Sequence, residues 1–539
     1  MTARIISLFL LMVIYMPHAM AHTTTDGVRI WDNGGLQQAD ICVYGATSGG
    51  ITAALTAKKM GKSVILVEPS RRIGGLTTGG LGKTDIGQVS IIQGLAMDFY
   101  LRIGNKYGKE TAVFDFEPKI ALAVFEDMLR QENMTVQMQR RVTKVKKQGN
   151  MLKEIFLEDA SEAKRPVLHI KAQEFIDCSY EGDLMARSGV SYTVGRESNS
   201  QYGETYNGMQ MLSKHQFPDG VDPYREKGNP KSGLLWGILK GEMGKTGQGD
   251  KRVQAYNFRI TMTNNPDNRI PITRPENYDS TKYELLARWK EVEPWQSKEL
   301  RDCFSWDLMT NPTKTDINNN HAFSTDMIGY NWDYPDASYK KREKMFQEHL
   351  AYTLGLLWFV ASDHRVPQSI REQINQWGYP KDEYPESNHF TPQLYIRESR
   401  RMIGRYVMTQ ANCQQDAVAD DPVGWGAYNM DSHNCGRYVV NGMVKNCGDV
   451  QIHLPKGKYN ISYRSLTPQE NEAGNLLVPF CLSASHIAFG SIRMEPVFMV
   501  LGQSAAIAAS LAIDQHNGCV QQVKSREIMH IFPSIKGKN

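Results

Sequence analysis

The residues between Gly45 and Glu68 have the types and the spacing that bind a dinucleotide. Gly45 and Gly50 fill the first and third glycine positions of a G-x-G-x-x-G fingerprint. A pyrophosphate binds favourably at a helix N-terminus, where free backbone amides and the helix dipole attract anions. An acid at the end of the next strand, here Glu68, accepts hydrogen bonds from a ribose. The pattern therefore predicts a nucleotide-binding unit, with an ordinary βαβ unit as the alternative.

The middle position of the fingerprint is occupied by Thr47 instead of glycine. The absence of a side chain there normally lets a phosphate approach the backbone. We expect the additional Gly49 to relieve this crowding. Thr47, Ser48 and Gly49 are therefore included among the predicted cofactor-binding residues.

The local pattern also predicts the elements that hold these residues. Residues 41–44 form a short apolar run, which is typical of a buried strand in a parallel sheet. Residues 48–60 follow a helical pattern that Gly61 ends, and residues 63–67 form a second apolar run before Glu68. We expect a strand, a tight glycine turn, a helix and a second strand.

Further segments carry a family resemblance. Residues 69–81 place two arginines and two glycine pairs directly after the acid, and residues 397–404 read R-E-S-R-R-M-I-G. Residues 461–468 and 475–478 match the strand that leads back to the cofactor, and residues 483–496 lead into a final helix that contains residues 502–506. Together these segments resemble the FAD-dependent oxidoreductase family with two dinucleotide-binding domains, specifically an exported bacterial branch. The resemblance implies FAD as the cofactor.

Two groups of residues are expected to contact the cofactor beyond the fingerprint. Amides and a cation for the phosphates come from the loop after the acid, at Arg72, Gly74, Gly75 and Leu76. The last group lies at the final helix, at Arg493, Gly502, Gln503 and Ala505. The N-terminus of that helix would stabilise negative charge on the flavin pyrimidine edge during reduction. Residues 504–507 lack a second glycine that the family often has, and a buried alanine-rich helix is the alternative.

Oxidation of an alcohol at a flavin requires a base, because the hydroxyl proton must leave as the hydride does. Histidine suits this task near neutral pH. His389, His433 and His486 lie in or near the segments that the resemblance brings to the cofactor, and Arg397 could hold developing oxyanion charge. These four are the predicted catalytic residues. The alternative is a structural role for the histidines, which is the more common role of a lone histidine.

The middle of the chain, residues 191–393, is expected to be an inserted substrate domain. It is rich in Asn, Asp, Pro, Tyr and Trp, with irregular stretches at residues 261–280 and 309–338. Amides, a carboxylate and aromatic rings suit a polyhydroxylated ligand. The predicted substrate-binding residues are Asn319, His321, Asp326 and Trp332. A well-ordered structural loop is the alternative.

The N-terminus and the composition narrow the class of protein. Residues 1–21 combine Arg4, a short apolar run and an A-x-A cleavage site, which predicts a secretory signal peptide and a periplasmic or secreted protein. A net charge of +4 over 539 residues indicates neither nucleic acid nor an acidic membrane surface as a partner. The eight cysteines show no zinc spacing, so no metal is predicted, and Cys435 with Cys447 is the pair to test for a bridge.

We therefore predict an α/β fold: a Rossmann-like FAD-binding domain, a parallel sheet flanked by helices, with an inserted α+β substrate domain. The expected boundaries are 38–190 and 394–525 for the two parts of the FAD-binding domain and 191–393 for the insertion. The predicted function is hydride transfer from a small or oligomeric carbohydrate-like substrate to FAD, with an unknown electron acceptor and no membrane-spanning segment in the mature chain. The alternatives are a polysaccharide lyase or hydrolase with non-redox FAD, a non-catalytic carbohydrate-binding protein and, more weakly, an NAD-dependent dehydrogenase.

Overall fold

The computed structural model describes residues 35–161, 165–296 and 299–535, and also the backbone of two short strands at His22–Thr23 and Arg29–Ile30. The predicted signal peptide, residues 1–21, lies outside the described residues.

Short strands and a few long helices alternate along the chain. The strands are β1 (His22–Thr23), β2 (Arg29–Ile30), β3 (Gly35–Tyr44), β4 (Val64–Glu68), β5 (Val136–Met138), β6 (Arg140–Gln148), β7 (Met151–Asp159), β8 (Leu168–Asp177), β9 (Tyr192–Thr193), β10 (Asn257–Phe258), β11 (Ile260–Thr263), β12 (Arg269–Pro271), β13 (Phe304–Leu308), β14 (Lys314–Asn319), β15 (Gly378–Pro380), β16 (Leu394–Tyr395), β17 (Arg401–Met402), β18 (Pro422–Gly426), β19 (Met430–Ser432), β20 (Gly436–Val440), β21 (Met443–Cys447), β22 (Val450–Ile452), β23 (Tyr459–Ser462) and β24 (Leu476–Leu477). The helices are α1 (Ser48–Lys59), α2 (Gly75–Thr78), α3 (Gly94–Lys106), α4 (Pro118–Gln131), α5 (Asp183–Arg187), α6 (Asn199–Tyr202), α7 (Glu284–Val292), α8 (Tyr339–Ser362), α9 (Gln368–Ile374), α10 (Gln410–Cys413), α11 (His486–Ile492), α12 (Glu495–Gln515) and α13 (Ser525–Ile531).

The largest sheet has the parallel core expected of a Rossmann-like domain. Its parallel strands run in the order β2-β5-β4-β3-β8-β24. Strand β7 pairs antiparallel with β8, and β6 pairs antiparallel with β7. The chain builds outward from β3 through β4 to β5 and then returns to β8 on the other side. In such sheets ligands bind outside the carboxyl ends of the strands at this reversal. The predicted fold class is confirmed, and the reversal lies beside Gly45.

Helices α1 and α12 cross on this sheet at backbone contact. A Cβ atom added to Gly502 would collide with the carbonyl oxygen of Gly49, and one added to Gly49 would collide with the carbonyl oxygen of Phe498. Within the described residues, α12 is the one helix whose length and composition would allow it to cross a membrane, but 94% of its most apolar stretch is buried inside the protein. It therefore acts as a core helix.

The middle of the chain has a hydrophobic core of its own. An antiparallel sheet in the order β12-β15-β11-β14-β13 packs with α7, α8 and α9 around residues such as Phe258, Ile260, Leu356 and Val360. Regular strands therefore occur where the sequence predicts irregular stretches. Their partners are distant in the chain, as in the pairing of Ile260 with Ile317, and local patterns do not reveal such pairing.

The cysteines do not form disulfides in this structure, since all eight are free thiols. Cys435 and Cys447 are nevertheless adjacent, because the amide of Cys435 donates to the carbonyl of Cys447 over 2.7 Å. The predicted pair therefore consists of neighbours in space that are not joined by a disulfide in this structure.

Glu174 on β8 is a buried carboxyl group whose protonation can be tested. Neither of its carboxylate oxygens has a hydrogen-bond partner among the described residues, and burial raises its pKa well above the ordinary range. Above pH 4.5 the unfolded chain loses a proton that the folded chain keeps, so stability falls as the pH rises. Glu174→Gln is expected to increase the free energy of unfolding at pH 8 and to leave it unchanged near pH 4, as measured by urea denaturation. An equal effect at both pH values would contradict a buried, protonated Glu174.

Candidate functional site

The glycine turn before α1 accommodates Thr47 by turning its side chain inward. The Thr47 hydroxyl donates to the carbonyl of Cys178 over 2.9 Å and accepts from the amide of Gly50 over 3.2 Å. The hydroxyl therefore caps α1 and does not cover the outer side of the turn. A Cβ atom on Gly45 would lie 2.8 Å from the Cys178 carbonyl, so only glycine fits there. The departure from the fingerprint thus leaves the turn geometry intact.

Glu68 closes the turn from the end of β4. Its two carboxylate oxygens accept from the amides of Ala46 and Ser70, each over 2.8 Å. Burial raises the pKa of Glu68 to about 7 despite these two donors. The carboxylate is therefore poised to gain further donors, as the hydroxyls of a ribose would provide.

The loop after β4 lies against the same turn. The amide of Gly74 donates to the carbonyl of Ala46 over 2.6 Å, and the Leu76 amide donates to the Tyr180 hydroxyl over 2.9 Å. A Cβ atom on Gly75 would collide with the Tyr180 hydroxyl. Arg72 pairs with Glu386 over 2.8 Å and donates to the carbonyl of Thr78 over 2.9 Å.

Glu495 joins this loop to the first turn of α12. Its carboxylate accepts from the hydroxyls of Ser48, Thr77 and Tyr180 over 2.5, 2.7 and 2.7 Å. Burial raises the pKa of Glu495, and the three hydroxyls oppose that rise. One carboxylate therefore connects α1, α2, the end of β8 and α12, the four elements around the turn.

A small cavity, with about 10 Å³ of free space, lies at the N-terminus of α12. Its lining combines aromatic rings with two arginines and two glutamates: Tyr180, Tyr395, Ile396, Arg397, Glu398, Phe480, Phe489, Arg493, Glu495 and Phe498. The chain segments that meet here follow β8, include β16 and begin α12. The cavity therefore adjoins the dinucleotide turn through Tyr180 and Glu495.

Two guanidinium groups flank Tyr395 on the cavity wall. The guanidinium carbons of Arg397 and Arg493 lie 4.6 and 5.6 Å from the centre of the Tyr395 ring. Arg493 donates to the Tyr395 hydroxyl over 2.7 Å and pairs with Asp431 over 3.4 Å. Nε of each arginine is buried without a hydrogen-bond partner among the described residues. The wall therefore presents two guanidinium groups beside the carboxyl groups of Glu398 and Glu495.

Arg397 belongs to a buried cluster with Asp326 and His433. Nη1 of Arg397 lies 2.9 Å from Oδ1 of Asp326, and Nδ1 of His433 lies 2.7 Å from Oδ2 of the same carboxylate. Although burial raises the pKa of Asp326, Arg397 and His433 lower it below its ordinary value. Burial and the charge of Arg397 lower the pKa of His433. At neutral pH the cluster therefore holds a charged arginine, a charged aspartate and a neutral histidine.

Gln254 links this cluster to a second histidine. Its Oε1 accepts from the His433 amide over 3.0 Å, and its Nε2 donates to Glu398 over 3.2 Å. Glu398 in turn contacts Nδ1 of His486 over 2.8 Å and pairs with Arg401 over 3.1 Å. A continuous polar network therefore connects His433, at the cluster, to His486 at the start of α11.

Several predicted residues lie outside this network. His389 contacts the carbonyl of Glu383 over 3.0 Å, beside the Arg72 loop. Gln503 accepts from the Leu95 amide over 2.9 Å and donates to two carbonyls of the C-terminal segment. Ala505 is buried in the core beside Gly502. The cofactor and catalytic roles assigned to these residues stay predictions, and their contacts in the structure are those of packing residues.

Some of the predicted substrate residues also lie at the cluster, and others lie away from it. Asp326 lies in the cluster, and the side chain of Asn319 accepts from its amide over 3.1 Å. The centre of the His321 ring lies 6.0 Å from that of Trp289 with 46° between the ring planes, and Trp332 donates to the carbonyl of Cys435 over 2.8 Å. Asp326 is therefore the member of this set that meets the predicted catalytic residues.

Sequence reasoning missed several residues that the structure places at the site: Tyr180, Gln254, Tyr395, Glu398 and Glu495. Two of them carried a usable signal. Glu398 lies inside the R-E-S-R-R segment, and Glu495 precedes Pro496 at a helix start, where an acid is favoured. Gln254 is flanked by no comparable pattern.

Comparison with known proteins gives a family match and distant structural similarity. Among solved structures, THI4 from Thermovibrio ammonificans is 17% identical with a TM-score of 0.23, and the match covers 30% of this chain and 66% of that one. A flavoprotein/dehydrogenase from Cytophaga hutchinsonii is 16% identical with a TM-score of 0.24, over 34% of this chain and 47% of that one. The chain thus matches less than two thirds of either protein, and likeness at this level carries no argument about activity. Curated protein sequences gave no match.

The family model matches nearly the whole described chain. It carries the description "FAD dependent oxidoreductase" and extends over residues 40–531, from β3 through α13. The match includes the glycine turn, the Arg397 segment and α12, which form the site described above. The chain therefore belongs to the FAD dependent oxidoreductase family, an enzyme family whose cofactor is FAD.

Proposed function

We propose that this enzyme oxidises a hydroxylated, carbohydrate-like substrate, and that His433 removes the hydroxyl proton. The proposal depends on one observation above all: the Arg397, Asp326 and His433 cluster begins at the wall of the cavity beside the dinucleotide turn. Oxidation of an alcohol to a carbonyl removes a hydride from carbon and a proton from oxygen. FAD, when bound, supplies the hydride acceptor. The protein must supply the proton acceptor and stabilise charge on oxygen.

The cluster has the arrangement that a general base requires. Asp326 contacts Nδ1 of His433, which orients the imidazole and leaves Nε2 to receive a proton. The lowered pKa of His433 keeps the ring neutral at pH 7, so that it can accept that proton. Arg397, which lines the cavity, supplies positive charge for an oxyanion. His486 lies deeper, held by Glu398, and is assigned a positioning role.

The residues around the glycine turn fit FAD. The Thr47 hydroxyl points inward, Gly45 leaves no room for a side chain, and Glu68 is a buried carboxylate with an elevated pKa. Thr47 and Ser48 would hold the pyrophosphate at the start of α1, and Glu68 would hold the ribose. The N-terminus of α12 would support the negative charge of a reduced flavin.

The affinity of the apoprotein for FAD is expected to increase as the pH rises through about 7, the pKa of Glu68. Ribose hydroxyls donate to the ionised carboxylate, so binding favours loss of the Glu68 proton, and a higher pH makes that loss less costly. Glu68→Gln is expected to weaken FAD binding and to remove this pH dependence. Titration of apoprotein with FAD by fluorescence quenching between pH 6 and 8 measures both effects. A pH-independent affinity in the unaltered protein would rule out this role.

The rate of flavin reduction by substrate is expected to increase with pH and to reach its plateau by pH 7. Neutral His433 is the reactive form, and its pKa lies below the usual value of about 6.5. The rate therefore falls as the pH drops through that pKa. Stopped-flow spectra in anaerobic buffers from about pH 5 to 8 test this profile. A rate that still rises above pH 7 would assign the base to a different group.

A carbohydrate-like substrate is supported by the chemistry of the cavity wall. The cavity has about 10 Å³ of free space, so a sugar would enter only if the side chains that line it move. The rings of Tyr180, Tyr395 and Phe489 would then offer apolar faces to its CH groups. Arg397 and Glu398 offer a donor and an acceptor to hydroxyl groups. A panel of mono- and oligosaccharides incubated with the enzyme and an artificial electron acceptor tests the assignment. Mass spectrometry should detect a product lighter by two hydrogen atoms, whereas chain cleavage without oxidation would favour lyase or hydrolase chemistry.

We also propose that the protein is exported and that residues 1–21 are removed. The proposal depends on the signal pattern of Arg4, the apolar run and the A-x-A site. Expression with the complete N-terminus in a bacterium with an outer membrane, followed by fractionation, should place the protein in the periplasm or medium with His22 as its first residue. An intact Met1 on the cytoplasmic protein would overturn the proposal.

A further inference from the structure

A second histidine–aspartate pair lies beside the first. Nδ1 of His215 is 2.8 Å from Oδ2 of Asp449, and the rings of His215 and His433 have centres 6.5 Å apart with 33° between their planes. The sequence predicts no role for His215 or Asp449. Two carboxylate-oriented imidazoles therefore face each other at the end of the Arg397, Asp326 and His433 cluster.

The backbone fixes both pairs. Strands β19 and β22 are antiparallel with Ser432 opposite Val450, so His433 and Asp449 emerge on neighbouring positions beyond this pair. The Asn446 side chain donates to the His215 carbonyl over 2.9 Å, and the Asn434 side chain accepts from the Asp449 amide over 3.2 Å. The separation of the rings is thus set by the sheet and by buried amides.

His215 also lies next to the protein surface. Residues 211–214 immediately before it are exposed, although the His215 side chain itself is 9% exposed against 8% for His433. With ring centres 6.5 Å apart, the ring nitrogens are beyond direct hydrogen-bond distance, so proton transfer between the rings requires a bridging water molecule. His215 therefore connects the cluster to an exposed segment of the chain.

We propose that His215 carries to solvent the proton that His433 removes from the substrate. This relay rests on the proposed function of His433. In each turnover, Nε2 of His433 gains the substrate hydroxyl proton and then gives it to the intervening water as that water gives a proton to His215. His215 releases its proton to solvent, and His433 returns to its neutral form. No electrons move in this sequence, and one proton leaves for each hydroxyl group oxidised.

The charged groups around the two rings favour this direction of transfer. Burial lowers the pKa of His433, and among its charged neighbours Arg397 lowers it further while Asp326 and Asp431 oppose the effect. Burial also lowers the pKa of His215, but the hydrogen bond and charge of Asp449 raise it above the ordinary value, with Lys214 opposing and Asp326 assisting. His321 is a further titratable neighbour of His215. The proton therefore passes from the weaker base to the stronger one.

Proton release and flavin bleaching can be followed together in a weakly buffered, anaerobic stopped-flow experiment with a pH-indicator dye. His215→Gln is expected to bleach at the unaltered rate in the first turnover but to release its proton on the order of 100-fold more slowly, within the range that a positioned acid–base group contributes. Added imidazole should restore fast release. The matched control is His364→Gln, since the His364 side chain is 89% exposed.

The possible outcomes separate the relay from the proposed function. The relay alone would be overturned if His215→Gln released its proton at the unaltered rate while the flavin bleached. It would also be overturned if release were slow and added imidazole did not make it fast again. No bleaching in the unaltered enzyme with any hydroxylated compound would overturn the proposed function and the relay with it. If His215→Gln fails to fold, Asp449→Asn keeps the imidazole and should slow release by lowering the pKa of His215.

A measurement on the protein without cofactor gives an independent readout. Histidine-selective NMR titration should find His215 above and His433 below the usual pKa of about 6.5. The reverse order would contradict the direction of transfer.

Discussion

Replacing His433 with Gln is expected to slow the reduction of bound FAD by substrate by about 10²- to 10⁴-fold, the contribution of a positioned general base. Gln keeps a polar group near Asp326 but cannot accept the hydroxyl proton. The amount of FAD bound per chain should stay unchanged, because His433 does not contact the glycine turn or Glu68. Single-turnover stopped-flow spectra under anaerobic conditions measure the rate directly.

Two comparisons make the His433 result specific. Asp326→Asn should also slow reduction, because it removes the carboxylate that orients the imidazole and balances Arg397. His389→Gln should have little effect on reduction, since His389 contacts the Glu383 carbonyl away from the cluster. If His389→Gln slowed reduction as much as His433→Gln, the base would have to be sought on the Arg72 side of the molecule.

Replacing Gly502 with Ala is expected to separate α1 from α12 and to abolish FAD binding. The new methyl group would collide with the carbonyl oxygen of Gly49, a backbone atom that cannot move without shifting the whole helix. Overpacking of this kind costs on the order of 1–3 kcal/mol of the free energy of unfolding. Because α1 begins at the glycine turn and α12 begins at Glu495, any shift also separates Ser48 from the Glu495 carboxylate. Flavin absorbance per chain measures the loss of FAD binding, and thermal unfolding measures the loss of stability.

The control for this prediction lies just after α1, the other helix of this contact. Gly61 follows α1 with a φ of 79° and no atom near an added Cβ, and asparagine tolerates such a conformation. Gly61→Asn should therefore bind FAD normally. Full FAD content in Gly502→Ala would mean that the contact between the two helices is not needed for the cofactor site.

Local patterns in the sequence were sufficient for the dinucleotide unit, because its strand, turn, helix and acid lie within 34 residues of one another from Gly35 to Glu68. The periodicity of its apolar residues and the glycines at its ends predict each of these elements. The first parallel pairing of the sheet, β3 with β4, joins neighbours in the chain. The same reasoning correctly placed α12.

The catalytic cluster could be predicted only as separate residues. Arg397, His433 and Asp326 were all singled out by type and position, but Asp326 and His433 are 107 positions apart, and their contact depends on how the middle of the chain folds against β19. The spacing of apolar residues along the chain does not predict a contact between such distant positions. His215 and Asp449 had no motif at all, since their partnership arises only from the register of β19 and β22.

The most direct test of the account is the visible spectrum of the purified protein, recorded anaerobically before and after the addition of mono- and oligosaccharides. The account predicts flavin bands that bleach with at least one hydroxylated compound in the unaltered enzyme and that bleach far more slowly in His433→Gln. Flavin bands that persist with every hydroxylated compound would contradict the proposed reaction, and bleaching at equal rates in both proteins would contradict the role of His433.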